Sequence, residues 1–463
     1  MVGIFGMSQN GIKEIVKRRD VKVSIVGFGY VGMCLGLMLA EKGIRVKGID
    51  VRQEVVNDVN AGKSHINEPD VPELLKKFVS EGKITASTSY APIKESDVVL
   101  VTVGTPLGED YSPYLGDVSA AAQEIGKFLQ SGQMVILKST VPPGVTEEVF
   151  LPNVEKTSGL KAGKDFGLAF CPERLAEGKA LKEIRTLPIV VGGIDKKSSD
   201  YAAAFWNALG LETLSVRNAR TAEMTKLADN LWIDLNIALA NELALLCEKI
   251  GVDVLEVLHA ANTLPKGEHN VNILFPGSGV GGSCLVKDPW FVYHLAKRHG
   301  LELKSPVMSR TVNDQMPGHM FELVEEGLNK AGKKIGHAKV AVLGFAFNSA
   351  TNDIRSTPAM KLIRALKEAG SDVTVFDPWV NASEIVKTSG AAVATSLEHA
   401  VKGADCIAVV TGHPEFRKIN LEELGKMVSK NCVIVDGRHI FNPDTVMASK
   451  FIYKGVGRGG WEK

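Results

Sequence analysis

Gly27-Phe28-Gly29-Tyr30-Val31-Gly32 constrains the fold of this chain more than any other stretch. It follows the β-branched run "KVSIV" and leads into the apolar segment "MCLGLMLA", so its glycines fall where a strand turns directly into a helix. The first glycine permits the tight turn, the second lets the backbone approach a pyrophosphate, and the third lets helix and strand pack closely. The helix end then offers unpaired N–H groups and a positive dipole to phosphates. A second strand, "RVKGID", ends at Asp50, 18 residues past Gly32, where an acid accepts hydrogen bonds from ribose hydroxyls. A carboxylate there repels a 2′-phosphate and favours NAD, although Arg52 beside it could accommodate one.

Residues 23–40 form an uncharged run of 18, about the length that spans a membrane. Four glycines interrupt it and its front is strand-like, so a buried strand–turn–helix accounts for it better. From residue 21 onward, short apolar runs alternate with helical segments: "DVVLVTVGTP", "MVILKST", "FGLAFCPE" and "LPIVVGG" read as further strands. Each ends in Gly, Thr, Ser or Pro, at the edge where open α/β sheets bind ligands. Residues 221–263 carry helical apolar spacing over more than 25 residues, which predicts a long helix, with more helices to about 325. After a Gly- and Lys-rich break at 329–339 the alternation resumes, and "KVAVLGFAF", "DVTVFDP", "DCIAVVTGH" and "NCVIVDGR" read as four strands. The expected fold class is α/β, two Rossmann-like parallel-sheet domains joined by a long central helix and helical connector. The expected boundaries are 1–20 for an amphipathic N-terminal extension of unknown purpose and 21–220 for NAD binding. A central helical domain is expected at 221–325 and a second Rossmann-like domain at 335–463.

A chain of 463 residues has room for several cores. Its net charge of +1 argues against broad nucleic-acid or membrane binding. The six cysteines form no CxxC pair and have no His at metal spacing, so neither a disulfide framework nor a zinc site is expected, and a cytoplasmic setting fits.

Cys284 follows the glycine-rich "GSGVGGS" and precedes Asp288 by four residues; a helix including 284 would put both on one face. Lys226 and Asn230 form a second such pair on the long helix. Thiol, cation, amide and carboxylate together suit a nucleophile with an oxyanion site, but cysteine is also commonly a small buried side chain.

Eight motifs bear on that choice: GFGYVG (27–32), VGTP (103–106), STVPPG (139–144), CPERLAEG (171–178), EMTKLADN (223–230), PGSGVGGSCLVKD (276–288), GFAFN…NDIR (344–355) and VDGR (435–438). In order and rough spacing they resemble the UDP-sugar 6-dehydrogenases, over residues 21–460. The resemblance implies NAD-dependent, two-step oxidation of a sugar C6 alcohol to a carboxylate, with Cys284 forming a thiohemiacetal and then a thioester. By the same resemblance Lys226 and Asn230 stabilise the oxyanion, or Lys226 shares base duty through a water held with Asp288 and Thr140. Glu173 and Glu177 match the family's two glutamates, the second assisting thioester hydrolysis or orienting the nicotinamide side. Thr105, Thr140, Lys287 and Arg355 match NAD contacts. Ile273, Leu274, Phe275, Pro276, Gly277 and Gly281 match a uridine-diphosphate loop, and Arg438 a diphosphate contact. Glu173, Lys226 and Asn230 also belong to the implied substrate site.

The chain departs from the family pattern at two places. Asn348 stands where the family usually has a substrate-touching Lys, and an amide there carries no charge. Before the PG loop the family often supplies an Arg from the neighbouring subunit, whereas "PKGEHNVN" has only Lys266 and His269 as cations. "CPER" resembles the N-acetylhexosamine branch, which points to UDP-N-acetylmannosamine or UDP-N-acetylglucosamine, with UDP-glucose as the alternative. The family's shared sites imply a homodimer packed through the long helix. A two-electron dehydrogenase would have no use for Cys284 or the second α/β domain. A non-catalytic nucleotide-sugar binder finds its only support in Asn348.

Overall fold

The computed structural model describes residues 3–66, 68–264 and 272–461. Lys266 and His269 lie outside the described residues. The chain divides into two compact units, Met1–Asp229 with Trp290–Leu301, and Asn230–Pro289 with Glu302–Lys463.

The first unit is built on strands β1 (Lys22–Val26), β2 (Arg45–Ile49), β3 (Ile84–Ser87), β4 (Val98–Val101), β5 (Met134–Leu137), β6 (Gly167–Phe170), β7 (Ile189–Gly193) and β8 (Thr213–Ser215). They pair in the order β3-β2-β1-β4-β5-β6-β7-β8. The order reverses between β1 and β4, which opens a crevice beyond the carboxyl ends of those two strands. Side chains alternate between faces: Val98 and Leu100 enter one core, Val99 and Val101 the other. Burial on both faces explains why the strands read as continuous apolar runs. The apolar run at 23–40 resolves into β1, the glycine turn and the helix Tyr30–Glu41. One pairing departs from the expected parallel sheet, because β6 and β7 run antiparallel. Their connection carries the short helix Ala180–Thr186, and the helix Lys196–Ala208 comes only after β7.

The N-terminal stretch is an integral part of this core. Ser8 caps the helix Gln9–Lys17, and Ile4, Phe5, Ile12 and Val16 are buried in one cluster with Phe205 and Trp206.

Among its described residues the second unit has six strands rather than the four expected: β9 (Lys339–Leu343), β10 (Asp372–Phe376), β11 (Ala392–Val393), β12 (Cys406–Val409), β13 (Val433–Asp436) and β14 (Ile452–Gly455). All are parallel, in the order β11-β10-β9-β12-β13-β14. β11 and β14 are short and sit at the edges, where little apolar surface marks them. A feature not visible as a repeat in the sequence emerges here. Asp50, after β2, accepts the Phe28 amide at 3.0 Å, and Asp377, after β10, accepts the Phe345 and Ala346 amides at 2.6 and 2.9 Å. Each acid thus binds the backbone just past a glycine with positive φ, Gly27 at 86° and Gly344 at 92°.

The long helix runs from Ala219 to Ile250, and a further long helix from Ser305 to Lys330. From Asn230 on, Ala240, Ala244 and Cys247 pack in one cluster with Val340 and Val342 of β9. Among the described residues, no helix is long and apolar enough to cross a membrane.

Candidate active site

In the first unit the three glycines of 27–32 differ in the space around them. A Cβ on Gly27 would meet the Thr102 carbonyl oxygen at 2.8 Å, and one on Gly32 would meet the Gly27 carbonyl oxygen at 2.2 Å. A Cβ on Gly29 would meet nothing within 4 Å. The middle glycine therefore leaves open space at the start of the helix Tyr30–Glu41, on the crevice side, which fits a dinucleotide pyrophosphate. Asp50 is buried and also accepts the Arg52 amide at 3.0 Å, while the half-exposed Arg52 guanidinium lies 3.4 Å away. Arg52 thus pairs with the Asp50 carboxylate.

Thr105 and Thr140 stand beyond β4 and β5, and the Thr105 hydroxyl donates to the Thr140 carbonyl at 2.7 Å. Glu223, at the start of the long helix, is fully buried and grips the STVPPG turn. It accepts the Gly144 amide at 2.6 Å, the Thr146 amide at 2.8 Å and the Thr146 hydroxyl at 2.6 Å. Burial pushes its carboxyl up to about 7 in spite of these bonds. Lys226, one turn further along the helix, is buried.

The segment bearing Glu173 and Glu177 is held by residues that sequence reasoning missed. Glu173 accepts the Leu175 amide. Glu68 accepts the Gly178 and Ala180 amides at 2.7 and 2.8 Å and the Tyr30 hydroxyl at 2.5 Å. Burial, then the bond to Glu68, pushes the Tyr30 phenol up. Lys138 is buried, donates to the Cys171 carbonyl at 3.0 Å and lies over the Trp206 ring; burial lowers its pKa. No local pattern reveals Glu68 or Lys138, because their partners are distant in sequence.

In the second unit, Cys284 is half-buried, whereas the other five cysteines of the chain are buried. The helix expected to include it begins only at Asp288. The Cys284 carbonyl nevertheless accepts the Lys287 and Asp288 amides at 3.0 and 2.9 Å, so the turn places residue 288 one helical turn beyond the thiol. Asp288 is fully buried; Asn230 donates to its Oδ2, and Lys287 donates to its Oδ1 at 2.6 Å. Lys287, matched by resemblance to a cofactor contact, thus sits on the carboxylate beside the thiol.

The loop 273–277 is fixed through its amides. Asn262 takes Ile273 at 2.8 Å, Asn236 takes Leu274 at 2.7 Å, and Asn241 takes Gly277 at 2.9 Å. Phe275 is exposed and Pro276 buried. Gly277 is small because Arg438 is adjacent: a Cβ there would come 3.0 Å from Nη1. Arg438 donates through Nε to the Val410 carbonyl at 2.8 Å, and burial lowers it to about 10, still cationic at neutral pH. Gly281 has no room for a side chain between Phe347 and the Ser356 carbonyl. Arg355 makes a bidentate ion pair with Asp353, and Gly282 donates to its carbonyl at 2.9 Å. Asn348 is exposed and accepts the Ser349 amide at 2.9 Å.

A dinucleotide loop at a sheet switch point, with an acid after the second strand, defines an NAD-dependent dehydrogenase, and a thiol beside a hydrogen-bonded carboxylate adds covalent capacity. Matches to family models refine this class: the NAD binding domain of the UDP-glucose/GDP-mannose dehydrogenase family fits residues 21–209, its central domain 220–315 and its UDP binding domain 341–443. The chain belongs to that family, and it is an oxidoreductase that uses NAD. A UDP-N-acetyl-D-mannosamine dehydrogenase from Pyrococcus horikoshii is 36% identical over 439 residues, 95% of this chain and 100% of the relative. Among solved structures, a UDP-D-ManNAc dehydrogenase from Pyrococcus horikoshii is similar with a TM-score of 0.85 and 36% identity, over 95% of this chain and 100% of that one. A UDP-glucose dehydrogenase from Pyrobaculum islandicum has a TM-score of 0.84 and 30% identity, over 94% and 98% of the two chains.

Proposed function

We propose that this protein oxidises the C6 hydroxyl of UDP-N-acetylmannosamine to the carboxylate of the corresponding uronic acid, using two NAD per sugar. The observation that carries the reading is the Asp288 carboxylate, which binds Asn230 and Lys287 one turn beyond the Cys284 thiol. A simple two-electron dehydrogenase needs no such thiol. The similarity to UDP-N-acetyl-D-mannosamine dehydrogenases supports the choice of sugar over UDP-N-acetylglucosamine and UDP-glucose.

In this reading the loop 27–32, Asp50, Thr105 and Thr140 hold the dinucleotide, and Lys287 and Arg355 contribute. Bound NAD supplies the hydride acceptor in both oxidations, of the alcohol and of the Cys284 thiohemiacetal. Cys284 adds through sulfur to the C6 aldehyde, and its proton passes to a base. Lys226 and Asn230 donate to the oxygen that becomes negative as the carbonyl is attacked. Asp288 fixes the Asn230 amide and serves as proton acceptor through a water shared with Thr140 and Lys226. Water then adds to the thioester carbon with help from Glu177, and the thiol leaves. Glu173 orients the sugar. The loop 273–277, Gly281 and Arg438 hold the uridine diphosphate, and Asn348 offers an uncharged contact in place of the usual lysine.

The functional division is 21–220 for the dinucleotide, 221–325 for the catalytic connector and 335–463 for the UDP-sugar. We further propose a cytoplasmic homodimer. Trp232, Leu239 and Leu246 are exposed at seven-residue spacing on the long helix, the pattern of a helix-to-helix seam. A panel of UDP-sugars, with product mass and NADH counted per sugar, tests the reading. Two NADH and a uronic acid from UDP-N-acetylmannosamine are expected; one NADH, or binding without turnover on every sugar, refutes it.

A further inference from the structure

Four polar side chains are buried together in the second unit, and of them only Asn241 was met above, as the acceptor of the Gly277 amide. Asp234 and Asn241 lie on the helix Ala219–Ile250, and Arg310 and Asn313 on the helix Ser305–Lys330. Arg310 Nη1 donates to Asp234 Oδ1 at 2.7 Å, and Asn313 Nδ2 donates to the same oxygen at 2.8 Å. Asn241 Nδ2 donates to Asn313 Oδ1 at 2.8 Å, which closes the row. The row reaches backbone at both sides, and Arg310 Nη2 also donates to the exposed Asp314 at 2.9 Å. Asn241 Oδ1 accepts the Gly277 amide at 2.9 Å, and Arg310 Nη1 reaches the Leu285 carbonyl at 3.4 Å.

A buried ion pair is a poor source of stability, since desolvation offsets most of its attraction and apolar residues of the same volume serve as well. What apolar residues could not do is hold an amide at one end and a carbonyl at the other. Gly277 lies in the loop that carries the diphosphate, and Leu285 follows the nucleophile.

We propose that Arg310, Asp234, Asn313 and Asn241 are positioning residues that couple the diphosphate loop at Gly277 to the Cys284 turn. Filling the loop then sets the place of the thiol, so that Cys284 is aligned only when a nucleotide-sugar is seated. The proposal rests on the reading of 273–277 and Cys284 given above. A cation, a carboxylate and two amides in series transmit a shift because breaking any of their bonds leaves a further buried group unpaired, beside Asp234 Oδ2 and Arg310 Nε, which already lack a hydrogen-bond partner among the described residues.

The test uses the full-length protein, with UDP alone as the probe, because UDP lacks the sugar that would cover the thiol. The alkylation rate of Cys284 by iodoacetamide is followed by intact mass; the five buried cysteines react far more slowly. Saturating UDP is expected to change the wild-type rate by about fivefold or more. Asn313→Ala should bind UDP by calorimetry yet alkylate at one rate with or without it. Arg310→Lys keeps a cation by Asp234 but loses the contact with the Leu285 carbonyl, and should show the same loss if Asn313→Ala does not fold. Wild-type alkylation that ignores bound UDP, or a wild-type response in a folded variant, overturns the coupling. Failure of wild type to bind UDP overturns instead the reading of loop 273–277, and the coupling with it.

Discussion

Asn230 donates its side-chain amide to the carboxylate of Asp288 from 58 positions away, and both residues are buried. Lys287 donates to the other oxygen of the same carboxylate, so an amide and a cation converge on one acid beside the Cys284 turn. A carboxylate removed from water costs free energy unless it is bonded in this way. The arrangement therefore fixes the direction of the Asn230 amide.

Asp288→Asn keeps the shape and removes the charge that both donors seek. Turnover is expected to fall by about a hundredfold or more, with NAD affinity nearly unchanged. Steady-state rates beside calorimetric NAD titration check this; a small loss in kcat would remove Asp288 from the reaction.

Cys284→Ser should abolish uronic acid formation while NAD still binds. Mass spectrometry of the product and of the denatured protein checks both points: wild type shows an acyl adduct on quenching and the serine variant none. Uronate formation at the wild-type rate would refute the covalent route.

Gly29→Ala and Gly32→Ala separate binding from folding. A methyl group on Gly29 enters open space, so the melting temperature should hold while NAD affinity falls by about tenfold, or 1.4 kcal/mol. A methyl group on Gly32 comes 2.2 Å from the Gly27 carbonyl oxygen, and the melting temperature itself should drop. Thermal scans with and without NAD distinguish the two outcomes.

Glu223 makes stability depend on pH. Its carboxyl is raised by burial from 4.5 to about 7, so the folded chain binds a proton that the unfolded chain has released between those values. The stabilisation is full below about 4.5 and is lost as pH rises through 7, amounting to about 3 kcal/mol. Glu223→Gln removes this slope, so wild type should lose stability relative to the variant between pH 5 and pH 8. Denaturant midpoints across that range decide it; parallel curves would show that Glu223 does not titrate there.

Much of the scaffold was legible because its signals are local. The strands at the middle of each sheet are buried on both faces and read as apolar runs, whereas β3, β8, β11 and β14 are short or near an edge and carry little apolar pattern. The reversal of β7 against β6 left no mark, since direction depends on how the connection packs and not on the strand's composition. The residues 1–20 read as an appendage because their scattered apolar side chains do not suggest a core of their own; Ile4, Phe5, Ile12 and Val16 complete one supplied by later residues.

By itself the sequence determined the cofactor loop, its acid and the position of the thiol. Each depends on spacing within a few residues, and on backbone space that only glycine leaves. Tertiary structure alone decided that Asp288 receives Asn230 and Lys287, that Glu68 and Glu223 hold distant loops, and that Arg310 and Asn241 stand at the two ends of one buried row. In each case a buried side chain satisfies a group far away in the chain. Which groups need satisfying is settled only when the loops have packed, and no periodicity in the sequence records it.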